Sequence, residues 1–117
     1  MLTLPPSVRI YLAAGATDLR KGFDGLAAVA REVLQRDPLS GHVFVFCNAR
    51  RQRVRLLVWD GTGMWLMTKR LESGTFAWPR VAPGEKSLTM RSEELAMLLG
   101  GLHVEVKKRP GFERRTA

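Results

Sequence analysis

Three apolar runs between His42 and Leu71 alternate with two polar turns. The runs are rich in Val, Phe, Trp and Leu, whereas the turns at 48–52 and 60–63 contain the Asn, Asp and Gly residues that reverse a chain. Short β-favouring runs bounded in this way are typical of neighbouring antiparallel strands. The pattern predicts a three-stranded meander, and the rest of the chain is organised around it.

The middle run of the meander has two unlike faces, because successive side chains of a strand point to opposite sides. One face is apolar and consists of Val54, Leu56 and Val58. The other face carries Arg53, Arg55, Leu57 and Trp59. We expect the apolar face to lie on the core and the other face to be a basic surface interleaved with aromatic rings.

The segments on either side of the meander predict one more strand and two helices. Val8–Leu12 alternates apolar and polar residues and is expected to pair with the central sheet. Apolar residues recur at three- and four-residue spacing over 24–36, which predicts an amphipathic helix with Asp24 as its cap. A second helix is predicted to begin after the cap residue Thr89 and to end at Gly100–Gly101.

These elements predict one α+β domain over residues 1–104. Its sheet is expected to be antiparallel, with four to five strands centred on the meander, and two helices are expected to pack against it. The chain from Val104 onwards can begin as one more edge strand, and 105–117 is a basic C-terminal tail. The tail is either an arm that lies along a phosphate backbone or a solvated terminus.

The segment 15–22 contains a basic pair next to two capping residues, Thr17 and Asp18. One interpretation places Arg20 and Lys21 beside free backbone N–H groups at a helix start, where a phosphate is favoured. The other interpretation is a capped loop with solvated charges. The residues alone leave both open.

Two aromatic residues lie in the irregular stretch after the meander. Phe76 and Trp78 are surrounded by Gly, Ser and Pro residues that stop regular structure. They either stack on nucleobases or are buried and anchor this stretch to the core. Burial is the more common role for aromatic residues in a small domain.

The balance of charge points to a polyanionic partner. The 117 residues include 19 Lys and Arg against 11 Asp and Glu, a formal net charge of +8. The most common partner of such a domain is nucleic acid, and the next most common is an anionic membrane surface. The single cysteine, Cys47, excludes an intrachain disulfide and suits a reducing compartment. No apolar stretch approaches the roughly 20 residues of a spanning helix, so we predict a cytoplasmic protein that does not enter membranes.

The sequence does not contain a constellation typical of an enzyme. Cys47 lies in an apolar run, and neither His42 nor His103 has a catalytic motif around it. One cysteine and two scattered histidines give no zinc-ligand spacing, and no phosphate-binding glycine loop is present. We therefore predict a binding protein with no catalytic residues, no metal site and no cofactor.

Several motifs along the chain resemble one known family. They are TDLRKGFDGL at 17–26, P-x-S-G-H-x-F-x-F at 38–46, W-D-G-x-G at 59–63, K-R-L-E-x-G-x-F-x-W-P at 69–79 and L-T at 88–89. Together they resemble the TnpB-type accessory protein of the IS66 family of bacterial insertion sequences. The resemblance implies a small protein made alongside a separate transposase and assisting movement of the element. It favours a functional role for Arg20 and Lys21, which lie inside the first motif.

Two functions are consistent with these observations. In the first, the protein binds DNA at the element ends with weak sequence specificity, and associates with the nucleoid when bound. The residues expected to contact phosphates are Arg20, Lys21, Arg50, Arg51, Arg53, Arg55, Lys69 and Arg70, while Trp59 or Trp65 touches bases or sugars. In the second, the protein is an interaction module that docks on the transposase without contacting DNA. The sequence leaves the oligomeric state open.

Overall fold

The computed structural model describes residues 7–101. This part of the chain forms an α+β fold with two helices and a five-stranded sheet. In chain order its elements are β1 (Ile10–Ala13), α1 (Phe23–Glu32), β2 (Val43–Cys47), β3 (Arg53–Trp59), β4 (Met64–Arg70), β5 (Ser87–Met90) and α2 (Ser92–Leu99). The predicted fold class is confirmed, and β2, β3 and β4 form the predicted meander.

The sheet is mixed, because one of its strand pairs is parallel. The strand order is β4-β3-β2-β1-β5. Strand β1 runs parallel to β2, with Tyr11 opposite Phe44, and the other pairs are antiparallel. A parallel pair needs a crossover connection, and α1 lies in the connection between β1 and β2. The predicted strand number is confirmed, and the parallel pair takes the place of one expected antiparallel pair.

One face of the sheet packs against α2. Val54 and Leu56 of β3 are buried there together with Leu98 of the helix. This core lies on the face that the alternation of β3 predicts to be apolar, so that prediction is confirmed.

The other face of the sheet packs against α1, and a prediction made from the strand pattern is wrong here. Leu57 lies between Arg55 and Trp59 on the face predicted to be a basic surface, yet it is completely buried in a core with Leu26 and Ala30 of α1. The apolar stripe of α1 needs a surface to cover, and the centre of this sheet face supplies it. Only the ends of this face of β3 remain for binding.

Helix α1 begins and ends earlier than the sequence pattern predicts. Gly22 rather than Asp24 is its N-cap residue, and a glycine has no side chain with which to form a capping hydrogen bond. The helix stops before residue 36 because Gln35 adopts a left-handed conformation with φ of 56°. Arg36 then donates its backbone N–H to the carbonyl of Ala30 at 2.9 Å, which closes the end of the helix.

The predicted cap of α2 is instead part of a strand. Thr89 lies in β5, opposite Tyr11, because the backbone of this segment pairs with β1. The helix begins after Arg91, whose backbone N–H donates to Oε1 of Glu94 at 2.7 Å. The predicted end of the helix at Gly100–Gly101 is confirmed.

Phe76 anchors the irregular segment between β4 and β5. Its side chain is 2% exposed and belongs to the core on the α2 face. Its backbone N–H donates to the carbonyl of Arg51 at 2.6 Å. Of the two roles considered for this residue, the buried one is confirmed.

Replacing Phe76 by alanine is expected to lower the free energy of unfolding by about 3–5 kcal/mol, because a buried aromatic ring is lost and a cavity remains. Urea unfolding measures this change. The matched control is Phe23→Ala, since the Phe23 ring is 49% exposed and its loss should change stability by no more than about 0.5 kcal/mol. Equal losses in the two variants would contradict the burial of Phe76.

We expect His42 to make the stability of the fold depend on pH. Its Nδ1 accepts the backbone N–H of Arg9 at 2.9 Å, which requires this nitrogen to be unprotonated. Burial, followed by the charges of Arg9 and Arg36, lowers the pKa of His42.

The unfolded chain therefore takes up a proton at His42 more readily than the folded chain. We expect the free energy of unfolding to be highest above the ordinary histidine pKa of about 6.5 and to decrease as the pH falls through that value. Thermal unfolding between about pH 8 and about pH 5 measures this dependence. His42→Asn keeps an acceptor oxygen without the titration, and should flatten the dependence; an unchanged slope would show that another group causes it.

Neither helix within residues 7–101 has the length and apolar character needed to cross a lipid bilayer. The predicted basic tail at 105–117, and the possible strand from Val104, lie outside the described residues.

Candidate nucleic-acid interface

The loop after β1 is held against the end of β2. Thr17 donates its backbone N–H to the carbonyl of Cys47 at 2.8 Å. The Asp18 carboxylate forms an ion pair with the Arg20 guanidinium at 3.0 Å and accepts the Arg20 backbone N–H. The hydrogen bond from the Arg20 side chain, then that from its backbone, lowers the pKa of Asp18 to about 2. The pair is therefore fully charged at neutral pH.

Asn48 organises the turn between β2 and β3. Its Oδ1 accepts the backbone N–H groups of Gln52 and Arg53, both at 3.0 Å. The next residues, Arg50 and Arg51, are presented at the tip of the turn. Because the turn is fixed by these bonds, its two arginines project from a preorganised backbone.

The loop and the turn face each other across a groove that contains four arginines. The groove has a volume of about 620 Å³, and its arginines are Arg20, Arg50, Arg53 and Arg55. We call it the arginine groove. Asp18 is the carboxylate in its lining, so four arginines against one aspartate leave a formal charge of +3.

Arg55 is the half-buried member of the arginine groove. Its Nη1 donates to the carbonyl of Lys21 at 3.1 Å, which ties β3 to the segment before α1. Its Nε is buried and has no hydrogen-bond partner within residues 7–101. An unsatisfied buried donor costs roughly 1–3 kcal/mol.

Arg53 and Arg70 stand directly opposite each other on β3 and β4. Residues opposed in this way project from the same face of the sheet, and like charges there repel. Within residues 7–101, neither guanidinium has a carboxylate at ion-pair distance, and among the predicted basic residues only Arg20 has one. The opposed pair therefore places a second unneutralised charge, that of Arg70, beside the arginine groove.

Lys21 and Lys69 occupy different surroundings. Lys21 follows Arg20, is exposed, and passes over α1, so that a Cβ added at Gly25 would lie 2.7 Å from the Lys21 Cβ. Lys69 lies on the α2 face of the sheet, where its Nζ donates to the carbonyl of Leu99 at 2.6 Å. A cation is favoured at this C-terminal end of α2 by the helix dipole, so Lys69 has a structural partner away from the groove.

Arg51 points away from the arginine groove. Its Nη1 donates to the carbonyl of Gly15 at 3.3 Å, and its guanidinium carbon lies 5.9 Å from the centre of the Trp78 ring. The structure thus separates Arg51 from its neighbour Arg50, although the sequence predicts one role for both.

Neither tryptophan predicted to stack on bases adjoins the arginine groove. Trp59 is six residues from Arg53 along β3, roughly 20 Å at about 3.3 Å per residue. Trp65 projects from the α2 face, is 53% exposed, and donates its Nε1 hydrogen to Oδ2 of Asp60 at 2.7 Å. The predicted surface of interleaved arginines and tryptophans is therefore not continuous.

Asp60 and Cys47, two titratable residues outside the groove, have structural roles. Hydrogen bonds from the backbone of Thr62, then of Gly63, lower the pKa of Asp60 to about 2, and fix the turn before β4. Burial raises the pKa of the Cys47 thiol, the opposite of what a reactive cysteine needs. In the part of the chain that the structure describes, no three His, Cys, Asp or Glu residues are grouped as a metal site would require.

Comparison with protein families matches residues 8–109 to the family described as IS66 Orf2 like protein. The matched range includes every residue of the arginine groove. The chain belongs to the IS66 Orf2-like family. The resemblance drawn from the sequence motifs is therefore confirmed.

Relatives of this IS66 Orf2-like protein occur in Sinorhizobium fredii. The uncharacterized protein y4jC is 43% identical over 104 residues, which cover 88% of this chain and 87% of the relative. The uncharacterized protein y4hO is 38% identical over 102 residues, covering 87% of each chain. No solved structure matches the chain.

The opposition of Arg53 and Arg70 could have been predicted from the sequence. A tight turn at 60–63 fixes the register of β3 and β4, and counting outward from it places Arg53 opposite Arg70. The part played by Asn48 was also missed, although it is local: the two N–H groups that its Oδ1 accepts belong to residues four and five positions further along the chain.

Proposed function

We propose that this IS66 Orf2-like protein is a non-catalytic accessory factor of insertion-sequence transposition that binds DNA through the arginine groove. Family membership indicates the accessory role. The observation that best supports DNA binding is the opposed Arg53–Arg70 pair beside the groove. The two guanidinium groups repel each other, and a phosphate bound between them would reduce that repulsion. Planar guanidinium groups also bind phosphate oxygens in a bidentate manner.

The geometry of the groove favours contact with the DNA backbone. The loop and the turn are fixed by hydrogen bonds before a ligand arrives, so little ordering is needed on binding. Arg50, Arg53 and Arg70 lie at exposed positions, where phosphates can reach them. Phosphate contacts position a protein on DNA but carry no sequence information. We therefore expect weak discrimination between the element ends and other DNA.

The experiment is a titration of labelled duplexes, one with the element ends and one of random sequence, at several salt concentrations. Four or five phosphate contacts predict that log K falls linearly with log salt with a slope of about −4. The two duplexes should bind with similar affinity. Absence of binding at low salt, or binding without a salt slope, would overturn the proposal.

A second candidate function is docking on the element's transposase without DNA contact. Within residues 7–101, β4 is an edge strand with one neighbour, β3, and it carries the exposed Trp65. An edge of this kind can accept a strand from a partner. Co-purification with the transposase from nuclease-treated lysate would favour this function, provided that it survives the combined change Arg53→Gln and Arg70→Gln.

A further inference from the structure

A second cavity lies on the other side of the contact between the loop and the turn. Its volume is about 480 Å³ and its lining includes Gly15, Arg51, Trp78 and Arg80. This volume is typical of sites for small ligands. We call it the tryptophan cavity. Arg50 lines the arginine groove and Arg51 lines the tryptophan cavity. Two consecutive residues of one turn therefore lie in two different depressions of the surface.

Arg51 adopts a backbone conformation that normally favours glycine. Its φ is +60°, in the left-handed region that costs a residue with a Cβ roughly 1 kcal/mol or more. Its side chain bridges the Gly15 carbonyl and the Trp78 ring. Glycine at this position would lack both of these contacts.

The Trp78 ring is held in a fixed orientation. Its Nε1 donates to the carbonyl of Ala13 at 3.1 Å. The side chain packs against the core that contains Phe76, but unlike Phe76 it is only half-buried. A fixed aromatic ring beside cationic groups is the arrangement by which proteins bind unpaired nucleotides, with the base stacked on the ring and the phosphate near the cations. Arg51 and Arg80 supply those cations.

We infer that the tryptophan cavity binds one unpaired nucleotide of single-stranded DNA whose backbone continues into the arginine groove. Bases of an intact duplex are stacked within the helix and do not reach such a cavity. Glu85, which also lines the cavity, offers an acceptor for the exocyclic amine of a base. This inference rests on the proposed function and specifies the form of DNA that the protein prefers.

The test compares single-stranded and duplex oligonucleotides of equal length on the native protein and three variants. The native protein should bind the single strand more tightly. Trp78→Leu should weaken single-strand binding roughly 5- to 150-fold, the range for losing one base–aromatic stack, and change duplex binding by no more than about twofold. Trp78→Phe also loses the bond to Ala13 but keeps an aromatic ring, so it should retain most of the single-strand affinity.

A third variant avoids the packing around Trp78. Arg80 is exposed, and Arg80→Gln should reduce single-strand affinity about 3- to 10-fold, as expected for one charged contact, with less effect on the duplex. Equal losses for single strand and duplex in these variants, or no single-strand preference in the native protein, would overturn the inference and leave the arginine groove intact. Failure of the native protein to bind either DNA would instead overturn the proposed function.

Discussion

Replacing Arg53 and Arg70 together by glutamine is expected to weaken duplex DNA binding about 10- to 100-fold at low salt, because each exposed phosphate contact contributes roughly 0.7–1.4 kcal/mol, within the net range of a hydrogen bond. The slope of log K against log salt should become shallower by about 1.8, since two phosphate contacts are lost. A fluorescence anisotropy titration at three or more salt concentrations measures both quantities.

The same double change should leave the fold intact or slightly stabilise it. Arg53 and Arg70 repel each other across β3 and β4, so removing their charges removes an unfavourable cross-strand contact. The thermal midpoint is therefore expected to stay constant or rise while DNA affinity falls. This opposite response separates a binding defect from unfolding.

The control for the double change is Arg31→Gln with Lys86→Gln. Arg31 lies in the last turn of α1 and Lys86 precedes β5, both at exposed positions outside the groove. The net charge decreases by the same amount as in the groove variant. If the control loses as much affinity as Arg53→Gln with Arg70→Gln, bulk charge rather than the arginine groove accounts for binding.

Replacing Leu57 by alanine is expected to lower the free energy of unfolding by about 2–5 kcal/mol. The Leu57 side chain is fully buried between β3 and α1, so its truncation leaves a cavity in a close-packed core. Urea unfolding measures the change, and the m-value should remain that of the native protein.

Leu39→Ala is the matched control, because it makes the same chemical change at a side chain that is 53% exposed. Its expected effect is within about 0.5 kcal/mol. Similar small losses at Leu57 and Leu39 would mean that the arginine-bearing face of β3 is open to solvent, as its alternation pattern alone suggests. That outcome would contradict the packing of α1 on this face.

The meander could be predicted from the sequence because its signals are local. The turns at 48–52 and 60–63 fix where the strands reverse, and the alternation along β3 identifies its faces. The alternation does not show that Leu57 is covered, because that depends on which face of the sheet the stripe of α1 reaches. A single leucine between Arg55 and Trp59 is the one sequence feature that hints at burial.

The elements that the sequence missed depend on contacts between distant parts of the chain. Strand β5 carries a residue, Thr89, that is equally suited to capping a helix, and its pairing with β1 decides between the two. The parallel pairing of β1 with β2 likewise follows from the path of α1 rather than from residues within either strand.

The sequence predicts which basic residues are candidates for binding better than it predicts how they are arranged in space. Arg20, Arg50, Arg53 and Arg55 line one groove, with Arg70 opposite Arg53. Arg51 and Lys69 are engaged with Gly15 and Leu99, bonds that span residues far apart in the chain. Charge and strand alternation identify basic residues, but only the tertiary fold determines which of them share a surface.

DNA contact through the arginine groove is measured most directly by titrating the isotope-labelled protein with duplex DNA and following the amide and arginine Nε–H resonances. We expect the resonances that shift to belong to the loop 16–21, the turn 48–53, and the side chains of Arg55 and Arg70. The amides of α2 should remain unperturbed. Shifts confined to α2 or to the outer edge of β4, with an unchanged arginine groove, would contradict this expectation.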